Sequence, residues 1–321
     1  MKWILRRTLQ FTVEILAGLI VAFMVSILLP SNPLRLIVQT TYVLRITFTL
    51  HGAYLESPVL TAFLGFLTNI FRGNWGWSVQ YQEPAIRYVA SVLPWTLTLI
   101  VPTVLLTVTL GSLMGVALAQ VRSKLLQSIP MVILTVLNST PNYIIATLVW
   151  LFLSYRLRLF PTAGNFSGSS TGSGYLPSFP FVVNVAYHYA LPVLSLWLSV
   201  VPNWSLYMRS VVITNISEDY VRFAQARGVR GIRLKATYIG RTSLMPLIAN
   251  VPYTFSTLLS GTVFIEQIYT LQGVGSALYA SIGSRDFDVT LSLFTIFVLI
   301  VIIGNYLTDV TYSIIDPRVK Q

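Results

Sequence analysis

Few residues in this chain of 321 could carry covalent or metal chemistry. Cysteine is absent, which excludes a disulfide framework, a Cys-ligated zinc site and an iron–sulfur cluster. The only histidines, His51 and His188, are 137 positions apart, so a His-rich metal site is not expected. No G-x-x-x-x-G-K-[ST] phosphate loop occurs, and no polar stretch is long enough to fold an ATPase. Glu14 is the one acidic residue well inside an apolar run, two turns after Arg7. An ionisable group in a membrane marks a proton or ion site by default, but this position suits a snorkelling or locally paired carboxylate at a helix end. The residues therefore predict no catalytic group, no cofactor and no metal, and any energy source must come from another chain.

Two polar constellations remain. Asn138-Ser139-Thr140-Pro141-Asn142 interrupts an otherwise apolar segment. Its polar groups and freed backbone must face protein or a wet cavity. They either line a pathway or hydrogen-bond between helices, and the sequence does not choose. The second constellation is Asp219-Tyr220-Val221-Arg222-Phe223-Ala224-Gln225-Ala226-Arg227-Gly228. Ser217-Glu218-Asp219 reads as a helix start, with a hydroxyl cap and acids at the positive dipole end, and Gly228 reads as its stop. Tyr220, Phe223, Ala224 and Arg227 recur at i, i+3, i+4, i+7 and share a face. Such a short basic helix fits a groove in a partner or lies on lipid headgroups.

The elements that must position these groups are membrane spans. Hydrophobic residues make up 55% of the chain and charged ones 10%, against about 25% charged in an ordinary soluble domain. So few charges cannot coat a water-facing surface. A helix needs about 20 apolar residues to cross a bilayer, and uncharged runs of that order predict six spans: Ile15–Leu34, Tyr88–Val121, Leu125–Tyr155, about Tyr187–Met208, Thr242–Ile265 and Val289–Thr308. Ser57–Phe71 is too short and is expected along the interface or outside the core. Gln267–Ser284, broken by Gly273, Gly275 and Gly283, is expected as an extramembrane or re-entrant segment. Gly111 and Gly115 form a G-x-x-x-G pair that would let two helix backbones approach. With the N-terminus inside, the internal segments hold 14 Lys and Arg and the external ones 7. The positive-inside rule then places both termini in the cytoplasm. The same bias accounts for the net charge of +11 without nucleic acid.

At this point the sequence resembles a family. Residues 219–228 are similar to the D-Y-V-R-x-A-R-A-K-G loop of ABC importer permeases of the dipeptide/oligopeptide/nickel class. Other landmarks resemble that class in order and spacing: Leu29-Pro30-Ser31-Asn32-Pro33, Gly73-Asn74-Trp75-Gly76-Trp77-Ser78, Glu266 with Gly273-Val274-Gly275, Arg285-Asp286-Phe287, and Asp309 with Asp316-Pro317-Arg318. Departures are Asn32 for an acid, Gln272 for a proline, and Tyr238-Ile239-Gly240-Arg241 for His-x-Leu-Arg.

The resemblance implies an all-α polytopic membrane protein of a prokaryotic cytoplasmic membrane. It would have six transmembrane helices, a large first extracellular loop and a short cytoplasmic coupling helix. Residues 1–92 would form an anchor helix with the outer loop region. Residues 93–321 would form a five-helix permease core with a coupling loop at 209–241. Asp219, Tyr220, Arg222, Phe223, Ala224, Arg227 and Gly228 would couple to a cytoplasmic ATPase, Ala224 lying against that partner. Asn138, Ser139, Thr140 and Asn142 would line the translocation pathway. Implied partners are a second homologous permease subunit, two ATP-binding subunits and an external solute-binding protein, with the lipid bilayer as solvent and no nucleic acid. Trp75, Trp77 and Tyr81 of the outer loop could receive the binding protein. The solute would be a peptide, or alternatively an oligosaccharide or nickel complex. A self-contained carrier or channel is a competing reading, and it would need a midplane charge or an internal repeat. A membrane enzyme would need a catalytic constellation that the sequence does not offer.

Overall fold

The computed structural model describes residues 2–28, 59–121, 123–168 and 179–315. His51, Arg122, Ser170, the Leu29–Pro33 motif and the closing Asp316-Pro317-Arg318 lie outside the described residues. Among those described, regular structure is helical. The helices are α1 (Lys2–Leu28), α2 (Val59–Phe71), α3 (Ala85–Leu106), α4 (Ser112–Gln120), α5 (Lys124–Ser139), α6 (Asn142–Val149), α7 (Phe179–Ile216), α8 (Asp219–Ala226), α9 (Arg241–Ala249), α10 (Val251–Ile268), α11 (Val274–Ser284) and α12 (Phe287–Ile315). A wide π turn, Thr107–Gly111, joins α3 to α4 without a break.

Four helical stretches are long and apolar enough to cross a membrane: Arg7–Met24, Ala85–Gln120, Phe179–Ile216 and Phe287–Leu307. Two bent pairs bring the number to as many as six: Leu125–Ser139 with Asn142–Arg156 at 107°, and Thr237–Ile248 with Val251–Ile268 at 50°. The first bend falls at Thr140-Pro141, where proline supplies no N–H to continue the ladder.

The first span, expected at Ile15–Leu34, is observed as the apolar stretch Arg7–Met24, with Glu14 inside it, and two others differ as well. The fourth, expected from about Tyr187 to Met208, is part of a 38-residue helix. Pro192 and Pro202 sit inside α7 without ending it, as membrane helices tolerate. The fifth, expected unbroken, divides at Asn250, and Pro252 takes a starting position of α10, where its missing N–H costs nothing. Val59–Phe71 is a 13-residue helix, too short to span.

Contacts divide the chain into two units, residues 1–96 with 272–303 and residues 97–271 with 304–321. In the first unit, Leu19 and Phe23 of α1 bury against Phe66 of α2, with the Phe23 and Phe66 rings stacked at 5.3 Å. A second core joins Ala85, Val89 and Val92 of α3 to Val274 and Ala277 of α11 and Val289 and Leu293 of α12.

A polar clasp closes the first unit. Asp286, 3% exposed, accepts from the Ser78 hydroxyl at 2.6 Å and the Gln80 N–H at 3.1 Å. Asp288 accepts from the Trp77 N–H at 3.0 Å. Gly76, at φ +84°, lies so close over the Asp288 carboxylate that a Cβ would overlap it. The loop at 74–80 is thereby tied to the start of α12.

In the second unit α4 packs on α7 through the glycine pair. A Cβ on Gly115 would lie 2.6 Å from Met208 Cβ and 2.6 Å from the Ser205 carbonyl oxygen. One on Gly111 would meet the Trp204 ring at 2.8 Å. The Trp204 indole N–H donates to Ser112 Oγ at 2.9 Å. The G-x-x-x-G pair serves packing within the chain.

Candidate functional site

The loop from Arg209 to Arg241 is built on one apolar cluster. Trp204, Met208 and Val212 of α7 bury with Val221 and Ala224 of α8, Leu234 and Ile239 of the π segment Leu234–Gly240, and Leu247 of α9. Asn215 near the end of α7 donates to Ser243 Oγ of α9 at 2.8 Å. The short α8 is thus packed against α7 and α9 through one apolar cluster.

The start of α8 differs from expectation. Its N-cap is Glu218, extended at φ −70°, ψ 147°, with no side-chain cap bond. The Ser217 hydroxyl donates instead to the Thr214 carbonyl at 2.7 Å, so it serves the end of α7. The stop is as the sequence predicts. Gly228 takes φ +83°, the Gly228 N–H donates to Gln225 O at 2.9 Å and the Val229 N–H to Ala224 O at 3.1 Å. This 5→2 and 6→1 pair is a Schellman ending, and Val229 completes it by packing on the apolar cluster.

A Cβ on Gly228 would meet nothing within 4 Å, so only backbone strain opposes substitution, about 1–2 kcal/mol. Gly228→Val should therefore speed proteolysis of the loop, whereas Gly228→Asn, which tolerates the left-handed region, should not. Equal protection of both variants would contradict this account of the ending.

The shared face splits when folded. Ala224 is 3% exposed and Val221 fully buried, both against the chain's own core. Ala224 therefore does not face a partner, which corrects the sequence expectation. A small residue is needed there for α8 to sit close on α7. Tyr220 and Phe223 are exposed, Phe223 to 66%. The Arg227 guanidinium lies 5.9 Å from the centre of the Phe223 ring. Arg222 and Asp219 form a 3.8 Å ion pair that is almost wholly in solvent and contributes little. The outer side of α8 is thus an aromatic ridge flanked by arginines.

At the break between α5 and α6 the polar residues take different roles. Ser139 donates to Thr135 O at 2.9 Å and Thr140 to Val136 O at 2.8 Å, both within their own helix. Asn142 donates across to Gly261 O of α10 at 3.4 Å. Asn138 is exposed.

One polar arrangement escaped the sequence reading. The His188 imidazole, 6% exposed, has Nδ1 at 2.8 Å from the Gly164 carbonyl and Nε2 at 2.7 Å from Ser167 Oγ. The carbonyl can only accept, so Nδ1 donates to it, and Nε2 pairs with the serine hydroxyl. The pairing fastens the 164–168 turn to α7.

Residues 107–321 match the family described as the inner membrane component of binding-protein-dependent transport systems. Similarity to individual proteins runs the whole length. A dipeptide transport system permease protein of Lactococcus lactis subsp. cremoris is 28% identical over 99% of this chain and 99% of its own. A putative peptide transport system permease protein of Brucella abortus is 28% identical over 99% and 98%. A glutathione transport system permease protein of Salmonella choleraesuis is 26% identical over 100% and 99%. With apolar helices of spanning length, two bent apolar helix pairs and a short helix packed against two others, the chain belongs to the family of binding-protein-dependent inner-membrane components, the permeases of ABC importers.

Proposed function

We propose that this chain, with a second homologous permease subunit, forms the pathway through which peptides handed over by an external solute-binding protein enter the cytoplasm. Two cytoplasmic ATP-binding subunits supply the energy. The observation that carries the proposal is α8: its inner side is locked by Val221 and Ala224 to α7 and α9, while Tyr220, Phe223 and Arg227 stand outside. A groove on an ATP-binding subunit that closes around the outer side would move α7 and α9 together. Peptides are the favoured solute because relatives aligned over the whole chain carry dipeptide, peptide and glutathione permease names. Both termini and α8 are assigned to the cytoplasm on the basic-residue bias.

Reconstitution in liposomes tests this. The chain alone should neither hydrolyse ATP nor move solute, because it lacks a phosphate loop. Adding the partner permease, the ATP-binding subunits and the binding protein should give ATP-dependent uptake of labelled tri-alanine. In sealed cells a Ser217→Cys variant should resist a membrane-impermeant thiol reagent and react only after lysis; no native cysteine interferes. Uptake by this chain alone, driven by an ion gradient, would replace the proposal with a secondary carrier. Labelling of Ser217→Cys in intact cells would invert the topology.

A further inference from the structure

The bent apolar pair ends at Arg156. Just beyond, the chain folds back and leaves an open cavity lined by Ser154, Tyr155, Arg156, Arg158, Phe160 and Thr162. Hydrogen bonds fix the fold-back. The Ser154 hydroxyl reaches the carbonyls of Phe160 at 3.1 Å and Pro161 at 2.9 Å, and the Trp150 indole N–H donates to Thr162 O at 2.9 Å. From α7 the Tyr187 hydroxyl donates to Leu159 O at 2.7 Å. The Trp150 and Tyr155 rings stack at 5.8 Å. The cavity is thus formed before any ligand arrives.

Its two arginines have no counter-ion close by. Both are exposed, and among the described residues no carboxylate pairs with either. No Asp or Glu occurs between Glu83 and Glu218. Arg158 adopts φ +52°, a left-handed conformation that strains any residue but glycine, so the backbone holds a guanidinium where glycine would sit more easily. Leading up to this end is an apolar row. Ile144, Leu148, Phe152 and Arg156 recur at every fourth position, which places them one above another along the helix. Ile144 is 38% exposed, Leu148 48% and Phe152 58%. The Thr147 hydroxyl beside the row is spent on Tyr143 O. The row is about 18 Å long at 1.5 Å per residue, close to the roughly 15 Å depth of one leaflet's hydrocarbon.

We infer that this cavity seats the phosphate of an anionic phospholipid whose acyl chains lie along Ile144, Leu148 and Phe152. Guanidinium groups match phosphate oxygens in a bidentate manner. Tryptophan and tyrosine settle at the headgroup level, which is where Trp150 and Tyr155 stand if Arg156 ends a span. A free anion would answer the two charges and make no use of the apolar row. A phospholipid is charged at one end and apolar over the length of one leaflet, so it answers both. The site concerns bound lipid and is independent of which solute the permease passes.

The test uses the full chain, purified in a nonionic detergent and stripped of lipid. Its melting temperature is followed as phosphatidylglycerol, phosphatidylcholine with the same acyl chains, or inorganic phosphate is added. Phosphatidylglycerol should stabilise at concentrations at least tenfold lower than phosphatidylcholine, since each basic group at a membrane surface adds to anionic-lipid affinity, and inorganic phosphate should have no effect. In the double variant Arg156→Gln/Arg158→Asn that preference should fall below twofold. Asparagine is chosen because it tolerates the left-handed backbone. Equal stabilisation by the two phospholipids in the parent, or an unchanged preference in the double variant, overturns the inference. Stabilisation by inorganic phosphate to the same extent as by phosphatidylglycerol overturns the lipid assignment in favour of a free anion. Native mass spectrometry of the assembled transporter gives the same comparison without melting. The parent should carry more phosphatidylglycerol through purification than the double variant, and equal retention overturns the site. Efficient cross-linking of Phe152→Cys to the partner permease in membranes would likewise overturn it, because a protein would then cover the row.

Discussion

Replacing Phe223 with aspartate should reduce ATP-driven uptake at least tenfold and release the ATP-binding subunit on purification, while the permease itself keeps its stability. The Phe223 ring is two-thirds exposed and lies beside the Arg227 guanidinium, so the isolated chain loses little when the ring goes. A docked partner would bury it. Burying a phenylalanine stabilises by about 1.5–3 kcal/mol, and each 1.4 kcal/mol is tenfold in affinity. Aspartate removes that contribution and adds a carboxylate that docking must desolvate. Ala224→Trp is the contrasting variant. Ala224 is buried within the chain's own core, and an indole there overpacks the contact between α8 and α7, costing about 1–3 kcal/mol. It should lower the melting temperature of the permease before any partner is added. The pair separates docking from folding. If Phe223→Asp retains uptake and co-purifies normally, the outer side of α8 is not the coupling surface.

The comparison between Phe223 and Ala224 marks the limit of what the sequence discloses. Helical spacing puts Tyr220, Phe223, Ala224 and Arg227 on one face, but the fold buries Ala224 and leaves the other three outside, a division that spacing alone does not show. The boundary is set by Val221, Val229, Leu234 and Leu247, whose convergence depends on the paths of α7 and α9. Local signals read well. Thr140-Pro141 divides a span because proline removes a donor, and Gly228 ends α8 because the ending needs a positive φ. Charge-free runs locate apolar helices because a bilayer tolerates few charges. Long-range pairings leave no such trace. Ser78 and Asp286 are 208 residues apart, and neither residue type nor spacing announces the bond. The exposure of Thr257 and Ser260 on α10 was hidden for a different reason. Thr257 and Ser260 satisfy their hydroxyls on their own helix, so in sequence they read as ordinary polar residues of a span. Only the burial of the opposite face, through Leu258, Leu259 and Ile265, shows that the hydroxyls face outward.

The glycine pair on the junction of α4 and α7 yields the largest expected structural effect. The two atoms nearest to a Cβ added at Gly115, Met208 Cβ and the Ser205 carbonyl oxygen, are at or next to the α7 backbone. Neither can rotate away as the tip of a side chain could. A Gly115→Ala variant must therefore separate the helices, at a cost of about 1–3 kcal/mol, and Gly115→Leu should cost more. Met208 also belongs to the cluster that seats α8, so the strain passes directly to α8. The expected result is a lowered melting temperature for Gly115→Ala, with partial loss of ATP-binding subunit on purification, and failure to accumulate for Gly115→Leu. Gly283 in α11 provides the control. A Cβ there would meet nothing within 4 Å, and alanine is the better helix former by about 1 kcal/mol, so Gly283→Ala should match or exceed the parent in stability. Helix propensity alone would favour alanine at both positions. If Gly115→Ala melts at or above the parent temperature, propensity has outweighed contact and the close approach of α4 to α7 is not what holds the second unit together.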